Sequence, residues 1–134
     1  MSEDIQTTYE IFSQNARQRG DELAAISPDK SLTHSEVLDH VDRLAAGLSK
    51  TGLERGDRIC VLAQNSLEYL ECYGACAKIG MIATPINWRL SAEEVGTVLS
   101  LAEPSCLIVG AEHVAQLDGL ELGSIDSKFV IGDA

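Results

Sequence analysis

The hydrophobic positions of this chain follow two spacings in turn, and the alternation predicts alternating helices and strands. Apolar residues three and four positions apart are typical of a helix with one buried face, and they recur in four segments. These segments begin at Thr7, Thr33, Asn65 and Ser91. Short continuous apolar runs, typical of strands buried on both faces, lie at 59–63, 81–86, 105–109 and 128–131.

The stretch 56–90 contains two such strands with a helix between them. Asn65 is predicted to cap this helix with Glu68 three residues later, and Gly80 is predicted to end it. Leu70, Tyr73 and Ala77 fall on one helical face. Two buried strands joined by a helix predict a right-handed βαβ unit with a parallel sheet.

Each of the four helices begins with the same capping pattern, a polar residue followed three positions later by glutamate. The glutamates are Glu10, Glu36, Glu68 and Glu94. A strand at Leu23–Ile26, a Ser-Pro-Asp-Lys turn and a returning Ser31-Leu32 predict a short N-terminal β-hairpin. The prediction is an α/β fold with an open, mostly parallel sheet and helices on both faces.

The remaining segments complete this scheme. Val95, Val98 and Leu99 are predicted to face inward from the fourth helix, and residues 111–117 to form one or two helical turns. Residues 120–127 are predicted to be a surface loop. No linker divides the chain, so residues 1–134 are predicted to form a single truncated α/β subdomain.

Composition narrows the classes of partner. The chain is 45% hydrophobic with a formal net charge of −11, which argues against nucleic acid or an anionic membrane as a partner. No apolar stretch approaches the roughly 20 residues that span a bilayer. The acidic start, MSEDIQTTYE, lacks the features of a signal peptide. We therefore predict a cytoplasmic protein.

Cysteines and histidines do not show a metal-binding spacing. Cys72 and Cys76 lie one helical turn apart, but no CxxC pair exists and the histidines add no ligand pattern. We interpret the cysteines, at positions 60, 72, 76 and 106, as small buried hydrophobic residues in a reducing compartment. His34 and His40 are predicted to be solvated, and Tyr69 and Tyr73 to be core or interface residues.

One polar cluster, Asn87-Trp88-Arg89, follows a predicted strand, where ligands of parallel sheets usually bind. In the functional alternative, Arg89 binds an anion and Trp88 covers a pocket. In the structural alternative, which we favour, Asn87 bonds the loop backbone, Arg89 pairs with a carboxylate and Trp88 packs over a helix. No Gly-rich phosphate loop or GxSxG elbow is present, and the position of most carboxylates at helix starts or in surface loops argues against a catalytic acid–base pair. Lys78 lies between Gly74 and Gly80, but in a helix that cannot cradle a phosphate.

Several motifs together resemble one family. They are L-T-x-x-E-V, R-L-A-A-G-L, G-L-x-x-G-D-R, Q-N-S-x-E-Y, A-x-x-K-I-G and P-I-N-W-R-L-S-x-E-E, in this order. The chain resembles the N-terminal region of adenylate-forming (AMP-binding) acyl-CoA synthetases over nearly its whole length. The N-W-R-L-S form is most similar to members that act on fatty or aryl acids.

The resemblance implies an ATP-dependent acid–CoA ligase, which forms an acyl-adenylate and then a thioester with coenzyme A, and which uses Mg²⁺. It also implies a flavodoxin-like subdomain. The family's phosphate loop and acyl pocket follow this region, so the chain is interpreted as a fragment that is inactive alone. No catalytic, cofactor-binding or metal-binding residue is carried over, and the fragment itself is expected to bind no cofactor.

Two alternatives remain at this point. One is a stand-alone, catalytically inactive binding or regulatory module derived from the same family. The other is an independent flavodoxin-like domain that binds a nucleotide or flavin. If the chain is a fragment, its uncovered apolar face and sheet edge predict self-association.

Overall fold

The computed structural model describes residues 6–123 and 125–132, which divide into two compact units. The first unit contains residues up to 50 together with 66–80, and the second contains 51–65 and the described residues from 81 onward. The prediction of one subdomain over residues 1–134 stays a prediction. The predicted N-terminal tail and chain end fall partly on residues 1–5, 133 and 134, outside the described ranges.

The first unit consists of three helices and a hairpin. Its elements are α1 (Thr8–Arg19), β1 (Leu23–Ile26), β2 (Ser31–Thr33), α2 (His34–Ser49) and α3 (Leu67–Ile79). The strands β1 and β2 pair antiparallel, as the turn residues between them predicted. A cluster of apolar side chains from the hairpin and helices, with Val41 fully buried at its centre, forms the core of this unit.

Three of the four predicted capping boxes are confirmed, at Thr7, Thr33 and Ser91. The predicted N-cap of α3 was wrong by one residue. Ser66, not Asn65, caps this helix, with its hydroxyl accepting from the backbone N–H of Tyr69 at 3.1 Å. The third residue after the true cap is therefore a tyrosine, and the carboxylate of Glu68 accepts from Lys30 Nζ at 2.7 Å instead.

The predicted apolar face of α3 was also wrong. Tyr73 is 39% exposed, while Gly74 and Ala75 are buried. A methyl group at Gly74 would lie 2.8 Å from both the Phe12 ring and the Val41 side chain. The buried face of α3 is therefore the one that contains Gly74, because the missing side chain lets α1 and α2 approach closely. The positions of the larger apolar side chains do not predict this face.

The second unit is built on a four-stranded parallel sheet. Its elements are β3 (Arg58–Leu62), β4 (Ile82–Ile86), α4 (Ala92–Ala102), β5 (Cys106–Gly110), a 3-10 helix (Ala111–Leu117) and β6 (Ser127–Ile131). The strand order is β4-β3-β5-β6, and every pairing is parallel. Counted within the sheet this order is 2-1-3-4, the flavodoxin-like arrangement. The predicted α/β class, parallel sheet and N-terminal hairpin are confirmed.

The core of this unit lies between α4 and the sheet. Val95 and Leu99 of α4 are buried against apolar residues of β3, β4 and β5, among them Leu62 and Leu107. Burying each such side chain contributes about 1.5–3 kcal/mol. Ile125 is only 5% exposed and belongs to the same cluster, so the prediction of a surface loop at 120–127 was wrong for this residue.

The strand β4 does not have the predicted burial on both faces. It forms one edge of the sheet, and Ile82 is 50% exposed. Pro85 fits an edge because proline has no N–H to donate to a neighbouring strand. The central strands β3 and β5 do match the prediction, since Ile59, Cys60, Leu62 and Leu107 are fully buried. None of the described helices is long and apolar enough to cross a bilayer.

Candidate functional site

The carboxyl end of β4 carries the polar cluster Asn87-Trp88-Arg89 that the sequence predicted as a candidate site. Residues 87–90, here called the Asn87–Leu90 turn, follow β4 directly. Asn87 Oδ1 accepts a hydrogen bond from the backbone N–H of Arg89 at 3.0 Å, and the Asn87 carbonyl accepts from Leu90 N–H at 3.2 Å. The prediction that Asn87 bonds the loop backbone is confirmed, and Asn87 closes the turn on itself.

Trp88 anchors the turn, and Arg89 lies over it. The indole packs against the apolar cluster beneath α4, with its ring centre 5.6 Å from that of His113. The guanidinium carbon of Arg89 lies 5.0 Å from the Trp88 ring centre, a cation–π distance. The predicted packing of Trp88 is thus confirmed.

The predicted pairing of Arg89 with a carboxylate was wrong for the described part of the chain. No described Asp or Glu lies within ion-pair distance of Arg89, and the side chain is exposed. Stacking on the indole orients the guanidinium without neutralising it. The five N–H groups of an arginine remain able to bind an anion at this edge of the sheet.

Gln116, on the 3-10 helix after β5, holds the turn from the other side. Its Nε2 donates to the carbonyl oxygens of Trp88 at 3.1 Å and Leu90 at 2.9 Å. His113 Nδ1 lies 2.6 Å from Gln116 Oε1. The sequence analysis missed Gln116, because residues 26 and 28 positions apart carry no periodic signal that links them.

His113 is buried, with 7% of its surface exposed. Its Nε2 atom has no hydrogen-bond partner among the described residues, and the nearest carboxylate oxygen, Glu112 Oε1, is 3.7 Å away. Gly110 leaves room for that carboxylate, since a methyl group there would meet Glu112 at 3.2–3.3 Å. The sequence analysis treated His113 only as a residue without metal-ligand spacing.

The cysteines do not form a reactive site. All four are buried and unbridged, as predicted. Burial raises the pKa of the Cys60 thiol to about 11, with Arg58 opposing weakly, and burial raises the pKa of Cys76 to about 11 as well. Both thiols are therefore protonated and poorly nucleophilic at neutral pH. No group of three His, Cys, Asp or Glu within the described ranges could hold a metal ion.

The histidines and tyrosines with sequence-based predictions, at positions 34, 40, 69 and 73, lie in the first unit. The prediction that His40 is simply solvated was wrong, since its Nδ1 lies 2.8 Å from Oε1 of the buried Glu71. His34 lines a small cavity of about 240 Å³ together with Phe12 and Asn15. Burial raises the pKa of Tyr69 to about 12, and Tyr73 packs against it with ring centres 5.5 Å apart.

Residues 12–131 match the model of the AMP-binding enzyme family. The chain belongs to the AMP-binding enzyme family. It is 34% identical over 107 residues to an indoleacetate–CoA ligase of Aromatoleum aromaticum, which covers 80% of this chain and 21% of that protein. A fatty acid–[acyl-carrier-protein] ligase, ScoC of Streptomyces coeruleorubidus, is 34% identical over 71% of this chain and 18% of its own length.

A solved structure gives the same result for the fold. A Rhodopseudomonas palustris protein assigned as a long-chain-fatty-acid CoA ligase superposes with a TM-score of 0.91 at 35% identity. The match covers 99% of this chain and 34% of that one. The chain spans about one fifth of the length of the curated relatives it matches. As a member of the AMP-binding family it is related to acyl-CoA ligases, which use ATP and coenzyme A.

Proposed function

We propose that this chain is the amino-terminal structural part of an ATP-dependent acid–CoA ligase. In the first step a carboxylate oxygen of the acid attacks the α-phosphorus of ATP, and pyrophosphate leaves. In the second step the thiol of coenzyme A attacks the acyl carbon, and AMP leaves. The observation that carries the proposal is the family match over residues 12–131, together with the close structural likeness to a protein assigned as a long-chain-fatty-acid CoA ligase.

Within such an enzyme this chain supplies scaffolding and one charged contact. The described residues hold neither a phosphate loop nor a group of carboxylates able to bind Mg²⁺. They therefore do not fit a complete ATP–Mg²⁺ site, and we propose that the reactive groups lie on other parts of the enzyme. Arg89 is the exception, because an exposed arginine that is held in place and lacks a described carboxylate partner suits a phosphate oxygen.

The acid is proposed to be a fatty or aryl acid. The relatives' names support both classes, since one acts on indoleacetate and others on fatty acids. The thiol acceptor is proposed to be coenzyme A. The name of ScoC specifies an acyl-carrier protein, so an acyl-carrier protein is the alternative acceptor to test.

Acid-dependent exchange of labelled pyrophosphate into ATP tests the proposal. The 134-residue chain alone should show no exchange, and a longer protein that contains it should show exchange with fatty or aryl acids. Thioester formation with coenzyme A or with an acyl-carrier protein then identifies the acceptor. Robust exchange by the 134-residue chain would refute the assignment of the reactive groups elsewhere.

A second candidate is a stand-alone binding module that kept the fold without catalysis. The observation that favours it is the apolar cluster of the second unit, whose central residues are already buried by described residues. The reading frame of the source gene separates the candidates. A frame that continues into a Gly-rich phosphate loop supports the ligase, and a stop codon soon after Ala134 supports the module.

A further inference from the structure

The hydrogen bonds of Gln116 join the 3-10 helix that follows β5 to the Asn87–Leu90 turn that follows β4. A primary amide has two N–H groups, and the two carbonyls of Trp88 and Leu90 use both. The amide oxygen of Gln116 is then the atom that faces His113 Nδ1. Every hydrogen-bonding group of this side chain is assigned, so its orientation is determined.

This arrangement also determines the proton position on His113. An amide oxygen only accepts, so Nδ1 must carry a proton and donate it to Gln116, which leaves Nε2 as the other ring nitrogen. That is the Nε2 atom that has no partner among the described residues. A buried polar atom without a partner is unusual in native proteins and calls for an explanation. Here the histidine gives up one hydrogen bond while it orients Gln116 with the other.

The hydrogen bonds of Gln116 act on Arg89 through the backbone of the Asn87–Leu90 turn. Gln116 holds the Trp88 carbonyl, which belongs to the peptide before Arg89, and also the Leu90 carbonyl. Asn87 holds the N–H of Arg89 with its side chain and, with its carbonyl, the N–H of Leu90 in the peptide after Arg89. The peptide groups on both sides of Arg89 are thereby fixed, and the guanidinium is placed over the indole. Pre-organisation of this kind raises affinity because less conformational freedom is lost on binding.

We infer that Gln116, oriented by His113, is a positioning residue that sets the place of Arg89 for an anionic substrate. The inference rests on the proposed ligase function. Gln116 itself touches no substrate in this scheme and acts only through the Asn87–Leu90 turn.

A double-mutant cycle in the ligase that contains this chain tests the inference. The variants are Arg89→Met, Gln116→Met and the double variant, with Gln18→Met on α1 as the matched control. Arg89→Met should raise KM for ATP or coenzyme A by about tenfold, and Gln116→Met by at least about threefold, with kcat nearly unchanged. The double variant should equal Arg89→Met, because Gln116 has no effect once Arg89 is gone.

Variants of His113 separate orientation from packing. His113→Asn keeps an N–H donor near the position of Nδ1 and should retain KM within about twofold of the parent. His113→Leu keeps bulk without the donor and should raise KM as Gln116→Met does. The inference would be overturned if the rise in KM of the double variant equalled the product of the rises caused by Gln116→Met and Arg89→Met. A fall in kcat without a rise in KM would overturn it as well.

The 134-residue chain gives a readout that needs no enzymatic activity. Trp88 is its only tryptophan, so its fluorescence reports on the turn directly. Gln116→Met should increase acrylamide quenching of Trp88, and nitrogen NMR should show that His113 loses its Nδ1–H form. If these changes occur while exchange activity is absent from the longer protein, the proposed function fails and the positioning geometry stands. Unchanged quenching and an unchanged histidine tautomer would refute the geometry.

Discussion

At the scale of single residues, Asp42 joins three helices of the first unit. Its Oδ1 accepts from Tyr9 Oη and from Lys78 Nζ, both at 2.8 Å, and so links α1, α2 and α3. Lys78 also lies 5.0 Å above the Tyr9 ring. Partial burial acts to raise the pKa of Asp42, but the hydrogen bonds from Lys78 and Tyr9 outweigh it and hold the pKa below its ordinary value.

We expect Asp42→Asn to lower the free energy of unfolding at pH 7 by about 1 kcal/mol. The folded pKa is depressed, so the carboxylate's contribution is present above the unfolded pKa of about 3.9 and is lost as pH falls through the folded pKa. Urea unfolding of parent and variant should therefore differ at pH 7, and the difference should shrink as the pH falls below the unfolded pKa of about 3.9. Asp39→Asn, which removes only the exposed pair with Arg43, is the control and should change little. A difference that persists at low pH would contradict this account.

Residue-scale chemistry also explains one error of the sequence analysis. Asn65 and Ser66 are both good capping residues, and the glutamate three positions after Asn65 favoured the first. In the fold Glu68 pairs with Lys30 of the hairpin turn, 38 positions away in sequence. The carboxylate expected to complete a capping box with Asn65 is thus paired with a residue distant in sequence, and Ser66 caps the helix.

At the scale of elements, α3 is positioned by the absence of a side chain. Gly74 lies where the Phe12 ring of α1 and Val41 of α2 both approach to within 2.8 Å of the missing methyl position. Helices approach this closely only where a small residue allows it. The glycine is therefore a packing residue, although glycine inside a helix usually weakens it.

Gly74→Ala should lower the free energy of unfolding by about 1–3 kcal/mol through overpacking. This loss opposes the gain in helix propensity of about 1 kcal/mol that alanine brings. Gly47→Ala in α2 is the matched control, because no described atom lies within 4 Å of its missing methyl group. Chemical denaturation should show the control stabilised and Gly74→Ala destabilised. Equal stabilisation of both variants would show that α3 can move away at no cost.

At the scale of the whole molecule, the two edges of the sheet differ. The edge strand β4 contains Pro85, which lacks an N–H and hinders the addition of another strand. The edge strand β6 pairs only with β5 among described strands, and its Phe129 and Val130 are 40% and 44% exposed. An exposed apolar edge of this kind promotes association.

We therefore expect the 134-residue chain to self-associate through β6. The weight-average mass from light scattering should rise with protein concentration, and Phe129→Glu should reduce the rise. Leu101→Glu, at a residue of α4 that is 80% exposed, is the matched control and should leave association unchanged. A monomer at high concentration would disprove the expectation, and equal effects of both variants would place the contact elsewhere.

Much of the fold was predictable because its signals are local. Three capping boxes, both hairpin strands, the central strands and the 3-10 helix lie within a few residues of where the sequence placed them. Each depends on hydrogen bonds or periodicity spanning two to four positions. The motifs that resemble adenylate-forming enzymes also lie in the sequence itself, and the family match confirmed them.

The candidate site was decided by tertiary structure. The sequence by itself determined the α/β order of elements, the family and the Asn87-Trp88-Arg89 cluster, because these depend on neighbours along the chain. Only the folded sheet brought the end of β4 beside the helix that follows β5, and so placed Gln116 and His113 against that cluster. Contacts between residues 25 to 28 positions apart leave no periodic pattern in the sequence, because strand pairing and packing alone determine which side chains meet.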